Sequence, residues 1–125
     1  MRIGDIYVWE TDKAVGYDSR KKFQVFICAG DWRDGHTFLF INKSDYGGDF
    51  PIRNSTYSFL SLEISYVLCG SVVCYGEDEL AACSPKIVGR LTQSDMKSLY
   101  ASILQSDTMP RWQIQRVCGA LKIAL

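Results

Sequence analysis

Arg20, Lys21 and Lys22 are the only three adjacent basic residues in the chain. They close a loop, Gly16-Tyr17-Asp18-Ser19-Arg20-Lys21-Lys22, that opens on a glycine and carries the short polar residues turns use. Three cations at one loop exit are suited to an anion, and an arginine grips phosphate through two parallel hydrogen bonds. RNA cleavage by its own 2′-hydroxyl needs few groups. One takes the hydroxyl proton, one protonates the leaving 5′-oxygen, and a cation steadies the charge building on phosphate. Arg20, Lys21 and Lys22 offer the cation, while Tyr17 and Trp32 offer ring faces on which bases stack. Ser19 and Lys22 complete the substrate-binding candidates of the loop. Glu10 and Asp18 are the weaker candidates for proton acceptor, because a carboxylate beside cations has its pKa lowered and is a poorer base. The competing reading is a solvated surface loop with no specific role.

Other chemistry is thinly represented. There is no G-x-G-x-x-G, Walker loop, H-E-x-x-H or G-x-S-x-G, and Gly47-Gly48 is too short for a phosphate cradle. The single histidine, His36, and five cysteines without a C-x-x-C pair give no regular zinc set. Cys28, Cys69 and Cys118 read as small core residues, and Cys83, in a polar stretch, as a free reactive thiol. The reading expects no metal and no cofactor. A formal net charge of zero argues against a uniformly basic nucleic-acid coat but not against a local basic patch. No apolar run approaches the ~20 residues of a membrane span, and Met1 to Asp5 has no leader-like core, so the expectation is a cytoplasmic protein with no membrane partner.

These residues need elements to hold them. The 125 residues, 47% hydrophobic and 22% charged, read as one domain, 1–125. Asp5 to Glu10 alternates Ile6 and Val8 with Tyr7 and Trp9, a strand apolar on both faces. Phe23 to Cys28 is a second strand. Asp34-Gly35 is a turn signal, and Thr37 to Ile41 is a nearly continuous apolar strand placed centrally. Asp49-Phe50-Pro51-Ile52 is an edge strand by its proline. Glu63 to Cys69 and Ser71 to Tyr75 are two strands, or one bent strand broken at Gly70. Glu77-Asp78-Glu79 reads as an acidic surface turn, and Lys86 to Gly89 as a last strand. Thr92 then caps a helix with Met96, Leu99, Tyr100, Ile103 and Leu104 on one face. A second helix starts at Pro110 and buries Ile114, Val117, Cys118 and Leu121. The fold class is α+β: a small β-barrel of five to seven short strands, about 3–91, followed by two C-terminal helices, about 93–105 and 110–123.

Gly4-Asp5-Ile6-Tyr7-Val8-Trp9, then a Gly-containing loop with basic residues, then Phe23 to Cys28, resembles the opening of PemK/MazF-like toxins. His36 to Lys43, Asp49 to Ile52, and Val88-Gly89-Arg90-Leu91-Thr92 before a helix are similar to later elements of that family. The resemblance implies an SH3-like barrel and a metal-independent endoribonuclease that cleaves single-stranded RNA to a 2′,3′-cyclic phosphate. It also implies a homodimer restrained by a cognate antitoxin. By position, Arg20 or Lys21 would take the role of the family's catalytic arginine, and Ser44 or Asn42 that of its Thr or Ser after strand three. The family's Arg-Pro pair and its threonine are absent here, since no proline precedes Phe23. Those departures favour the alternative, a non-catalytic SH3-like module that binds a protein partner or nucleic acid.

Overall fold

The computed structural model describes residues 1–14, 19–30 and 35–125. Side-chain alternation at the start of the chain becomes strand β1 (Asp5–Thr11), with Ile6 on one face and Tyr7 and Trp9 on the other. Strand β2 (Arg20–Cys28) pairs antiparallel with β1, in register from Ile6↔Val25 to Thr11↔Arg20. Strand β3 (His36–Asn42) pairs with the far side of β2, from Phe23↔Ile41 to Cys28↔Thr37, and the register shifts between Phe26 and Cys28. Strand β4 (Phe50–Arg53) pairs with β5 (Ile64–Val67), and β5 pairs with the C-terminal end of β3. Strand β6 (Val73–Tyr75) pairs with the N-terminal end of the same β3. β5 and β6 therefore lie one after the other along the same side of β3, interrupted where Gly70 sits. Strand β7 (Lys86–Arg90) pairs with β1.

The order is β4-β5-β3-β2-β1-β7, with β6 beside β3, a curled antiparallel half-barrel of seven strands. Pro51 lies on the edge strand β4, where a missing N–H breaks no interior ladder. Among the described residues the two edges, β4 and β7, do not pair with each other. The connection after β4 reaches across instead: a Cβ on Gly89 would stand 2.9 Å from the Phe59 ring. Just past the same end of β7, Gly4 at φ +92 turns the chain so that its N–H donates to Phe26 O and its carbonyl accepts from Leu91 N–H, both at 2.9 Å.

Three helices complete the described fold: α1 (Glu77–Cys83), α2 (Gln93–Leu104) and α3 (Arg111–Ala124). The acidic triplet 77–79, expected as a turn, is the first turn of α1. Glu79 Oε1 accepts the Gly76 N–H at 3.2 Å, and negative charge is favourable at that end of a helix. A seven-residue helix that buries only Leu80 shows no apolar period, which is why its sequence does not announce it. Thr92 Oγ1 caps α2 by accepting the Asp95 N–H at 3.1 Å. Met96, Leu99 and Ile103 are buried as the pattern requires, but Leu104 is 51% exposed and leaves the apolar face. Pro110 is the cap of α3 rather than its first residue. No helix among the described residues is long and apolar enough to cross a membrane.

The sheet carries an apolar cluster on each face. On one side Ile6, Val25 and Leu39 pack with Leu99, Ile103 and Val117 of α2 and α3. On the other, Trp9, Phe26, Phe38 and Tyr75 lie with Leu80 of α1. Trp9 meets Phe38 and Tyr75 edge-on at 5.1 Å between centroids, the geometry ring quadrupoles favour. This double cover fixes β2 and β3 in one register, and that register builds the candidate site.

Candidate nucleic-acid interface

Arg20, Lys21 and Lys22 are not loop residues but the first three of β2. Polar side chains give no strand signal of their own. The ladder to β1 holds them extended, with Lys22 opposite Trp9, Lys21 opposite Glu10 and Arg20 opposite Thr11. On the other side, the Phe23↔Ile41 pair places Lys22 beside Asn42, the last residue of β3. The Lys22 Nζ donates to Asn42 Oδ1 at 2.5 Å and stands 5.3 Å over the Phe40 ring.

The beginning of β2 and the end of β3 together form one wall of a cleft of about 300 Å³. Arg20, Lys21, Lys22 and Lys43 bring four cations to it, with the polar side chains of Asn42 and Ser44 between them. Tyr46, Leu60, Ser61, Leu62 and Ser65 also line it. Among the described residues no Asp, Glu or His lines it. Lys22 is half-buried, whereas Arg20 and Lys21 are exposed. Burial, then the neighbouring charges of Arg20 and Lys43, hold the Lys22 ammonium below the ordinary lysine pKa.

The strand that ends at Asn42 leads into a braced loop. Asp45 Oδ1 accepts the N–H groups of Gly47 at 2.8 Å and Asp49 at 3.2 Å. Asp49, itself buried, accepts the N–H of Tyr46 at 2.9 Å through one oxygen and that of Cys69 at 3.0 Å through the other. Gly47 and Gly48 both hold positive φ, at 116° and 76°, so the pair serves the turn.

Of the expected site residues, the structure gathers Arg20, Lys21, Lys22, Asn42 and Ser44 at one cleft. Ser19 is exposed and does not line it. Tyr17, Asp18 and Trp32 lie outside the described residues. Glu10 is exposed across from Lys21. His36 begins β3, six residues from Asn42 and so about 20 Å away at strand spacing. Cys83 ends helix α1, and burial together with Glu79 and Asp12 pushes its thiol up, which makes it less reactive than an ordinary cysteine. The sequence reading missed Lys43 and Tyr46, although both flank a polar run directly after a strand that ends at the basic residues. It missed the 60–65 wall because only the β4–β5 hairpin, remote in sequence, delivers those residues.

No protein-family model matches the sequence, and no curated protein matches it.

Proposed function

We propose that this protein binds single-stranded RNA in the cationic cleft and cleaves it without a metal, on an SH3-like barrel of the PemK/MazF kind that its N-terminal sequence resembles. The observation that carries the reading is the convergence of Arg20, Lys21, Lys22 and Lys43 with Asn42 and Ser44. Arg20 takes the non-bridging oxygens of one phosphate, Lys21, which leaves the other face of the strand, adds positive charge at its margin, and the Ser44 hydroxyl donates to the same phosphate. The adjacent 2′-oxygen loses its proton and bonds to phosphorus, and the bond to the 5′-oxygen breaks. Glu10, exposed across from Lys21 though not among the lining residues, is the carboxylate offered as acceptor. Lys22, whose proton is loosened by burial, supplies the proton to the departing 5′-oxygen. The products are a 2′,3′-cyclic phosphate and a 5′-hydroxyl. A cognate antitoxin and a second copy of the chain are the partners this reading calls for, and exposed Trp112, Ile123 and Leu125 on α3 and at the chain's end offer them apolar contact.

One observation favours a second reading, RNA binding without cleavage: the described cleft lining holds neither carboxylate nor imidazole. Incubating the protein with a long RNA in excess chelator, and analysing the ends, separates the two. Fragments ending in 2′,3′-cyclic phosphate, lost in Arg20→Ala/Lys21→Ala, support the nuclease. Intact RNA that is nevertheless retarded in a gel supports the binding module.

A further inference from the structure

We propose that the part of the cleft lined by Tyr46, Leu62, Ser61 and Ser65 is a subsite for one unstacked base, with Tyr46 as its stacking platform, and that this subsite selects single strands over duplexes; the inference rests on the RNA-binding reading above. Tyr46 is 74% exposed, yet its backbone is fixed by the Asp45 and Asp49 carboxylates. A ring held out to solvent on a braced loop presents a face to a ligand with little backbone ordering left to lose on binding. Leu62, 43% exposed, adds apolar surface from the neighbouring 60–65 segment, and Ser61 and Ser65 add hydroxyls that can meet a base edge. Cations together with a ring, an aliphatic side chain and hydroxyls in one cleft match the two halves of a nucleotide. The volume, about 300 Å³, lies at the lower end of small-ligand sites and suits one nucleotide unit rather than a helix. Inside a duplex the base faces are already stacked on one another, so apart from its two end pairs only unpaired nucleotides offer a face to Tyr46.

The test is binding, by fluorescence anisotropy, of three probes: an eight-nucleotide single-stranded RNA, a blunt RNA duplex, and an abasic ribose-phosphate oligomer of the same length. Stacking on one aromatic ring predicts that the natural protein holds the single strand between about fivefold and a hundredfold more tightly than the abasic oligomer. Tyr46→Ala should abolish that preference and leave abasic binding and its salt dependence unchanged, while Tyr46→Phe should keep it. Preference unchanged in Tyr46→Ala, or lost in Tyr46→Phe, overturns the stacking platform and leaves RNA binding standing. Failure of the natural protein to bind any of the three probes, or equal binding by Arg20→Ala/Lys22→Ala, overturns the RNA reading itself.

Discussion

Lys21→Met and Lys22→Met each remove one positive charge from the same cleft, but the structure predicts unequal losses of RNA affinity. Lys21 is exposed, so it meets phosphate in water. Exposed ion pairs contribute about 0.2–1 kcal/mol, at most roughly a fivefold change in Kd. Lys22 is half-buried, fixed by Asn42 and backed by the Phe40 ring. On the proposed RNA-binding reading its hydrogen bond to a phosphate oxygen would be charge-assisted and partly shielded, in the class of about 1.5–3 kcal/mol, or roughly ten- to a hundredfold in Kd. Both variants should flatten the salt dependence alike, by a slope of about 0.7 for each single-strand phosphate that is no longer neutralised. The assay is anisotropy with a labelled single-stranded RNA across a range of salt concentrations, with far-ultraviolet circular dichroism to show that each variant is folded. Equal affinity losses at equal slopes would mean that the cleft acts only as a diffuse charge, and the argument from burial at Lys22 would be refuted.

Three further outcomes rest on particular side chains of the fold. Because the Lys22 pKa is lowered in the folded protein, RNA binding should weaken as pH rises through that lowered value, before an ordinary lysine would titrate near 10.5; Lys22→Arg, which keeps its charge, should shift that loss to higher pH in a pH series of the same assay. Asp5 is buried, which by itself raises its pKa, but the Arg2 N–H and the Arg90 guanidinium at 2.9 Å outweigh this and hold it below 3.8. A depressed carboxylate contributes stability that is present above its unfolded pKa and lost as pH falls through the folded value, so acid unfolding curves of Asp5→Asn should lack that component and start from a lower stability at neutral pH. Tyr57 accepts the Thr92 N–H at 3.1 Å and donates to Asp95 at the start of α2, so Tyr57→Phe should cost about 1 kcal/mol and lower the Tm by roughly 4 °C in a thermal melt, with the fold unchanged.

The elements that periodicity can report were legible. Ile6 and Val8 against Tyr7 and Trp9, the apolar run of β3, Pro51 on an edge, and Thr92 before the Met96-Leu99-Ile103 stripe each carry a local cause for the structure they adopt. What was not legible depends on pairing. Arg20 to Lys22 read as loop because no propensity marks them as strand, and only the ladder to Trp9, Glu10 and Thr11 extends them. The hydrogen bond of Lys22 to Asn42 spans twenty positions and depends on the β2–β3 register, which no stretch of either strand encodes alone. The Tyr46 wall needs the Asp45 and Asp49 bracing, whose anchor at Cys69 is again twenty residues away.

That bracing also explains how a chain with 14 basic and 14 acidic residues can present a cationic cleft. Glu10 is exposed across from Lys21, but the acids of the loop after β3 are engaged by backbone. Asp45 and Asp49 face the loop backbone, and Glu79 caps α1 and pairs with Lys13 at 3.2 Å. The four cleft cations therefore face the opening without a carboxylate among the described lining residues. Beyond a Debye length of about 8 Å at physiological salt the opposite charges of the molecule largely cancel. Long-range steering of RNA is consequently weak, unlike that of a uniformly basic protein. On the proposed reading, recognition comes at close range, with phosphate held at the strand ends and a base at the loop. A neutral overall charge is therefore compatible with the proposed RNA site, and on that reading its affinity should respond to single substitutions at Lys22 and Tyr46 more than to charge changes elsewhere on the surface.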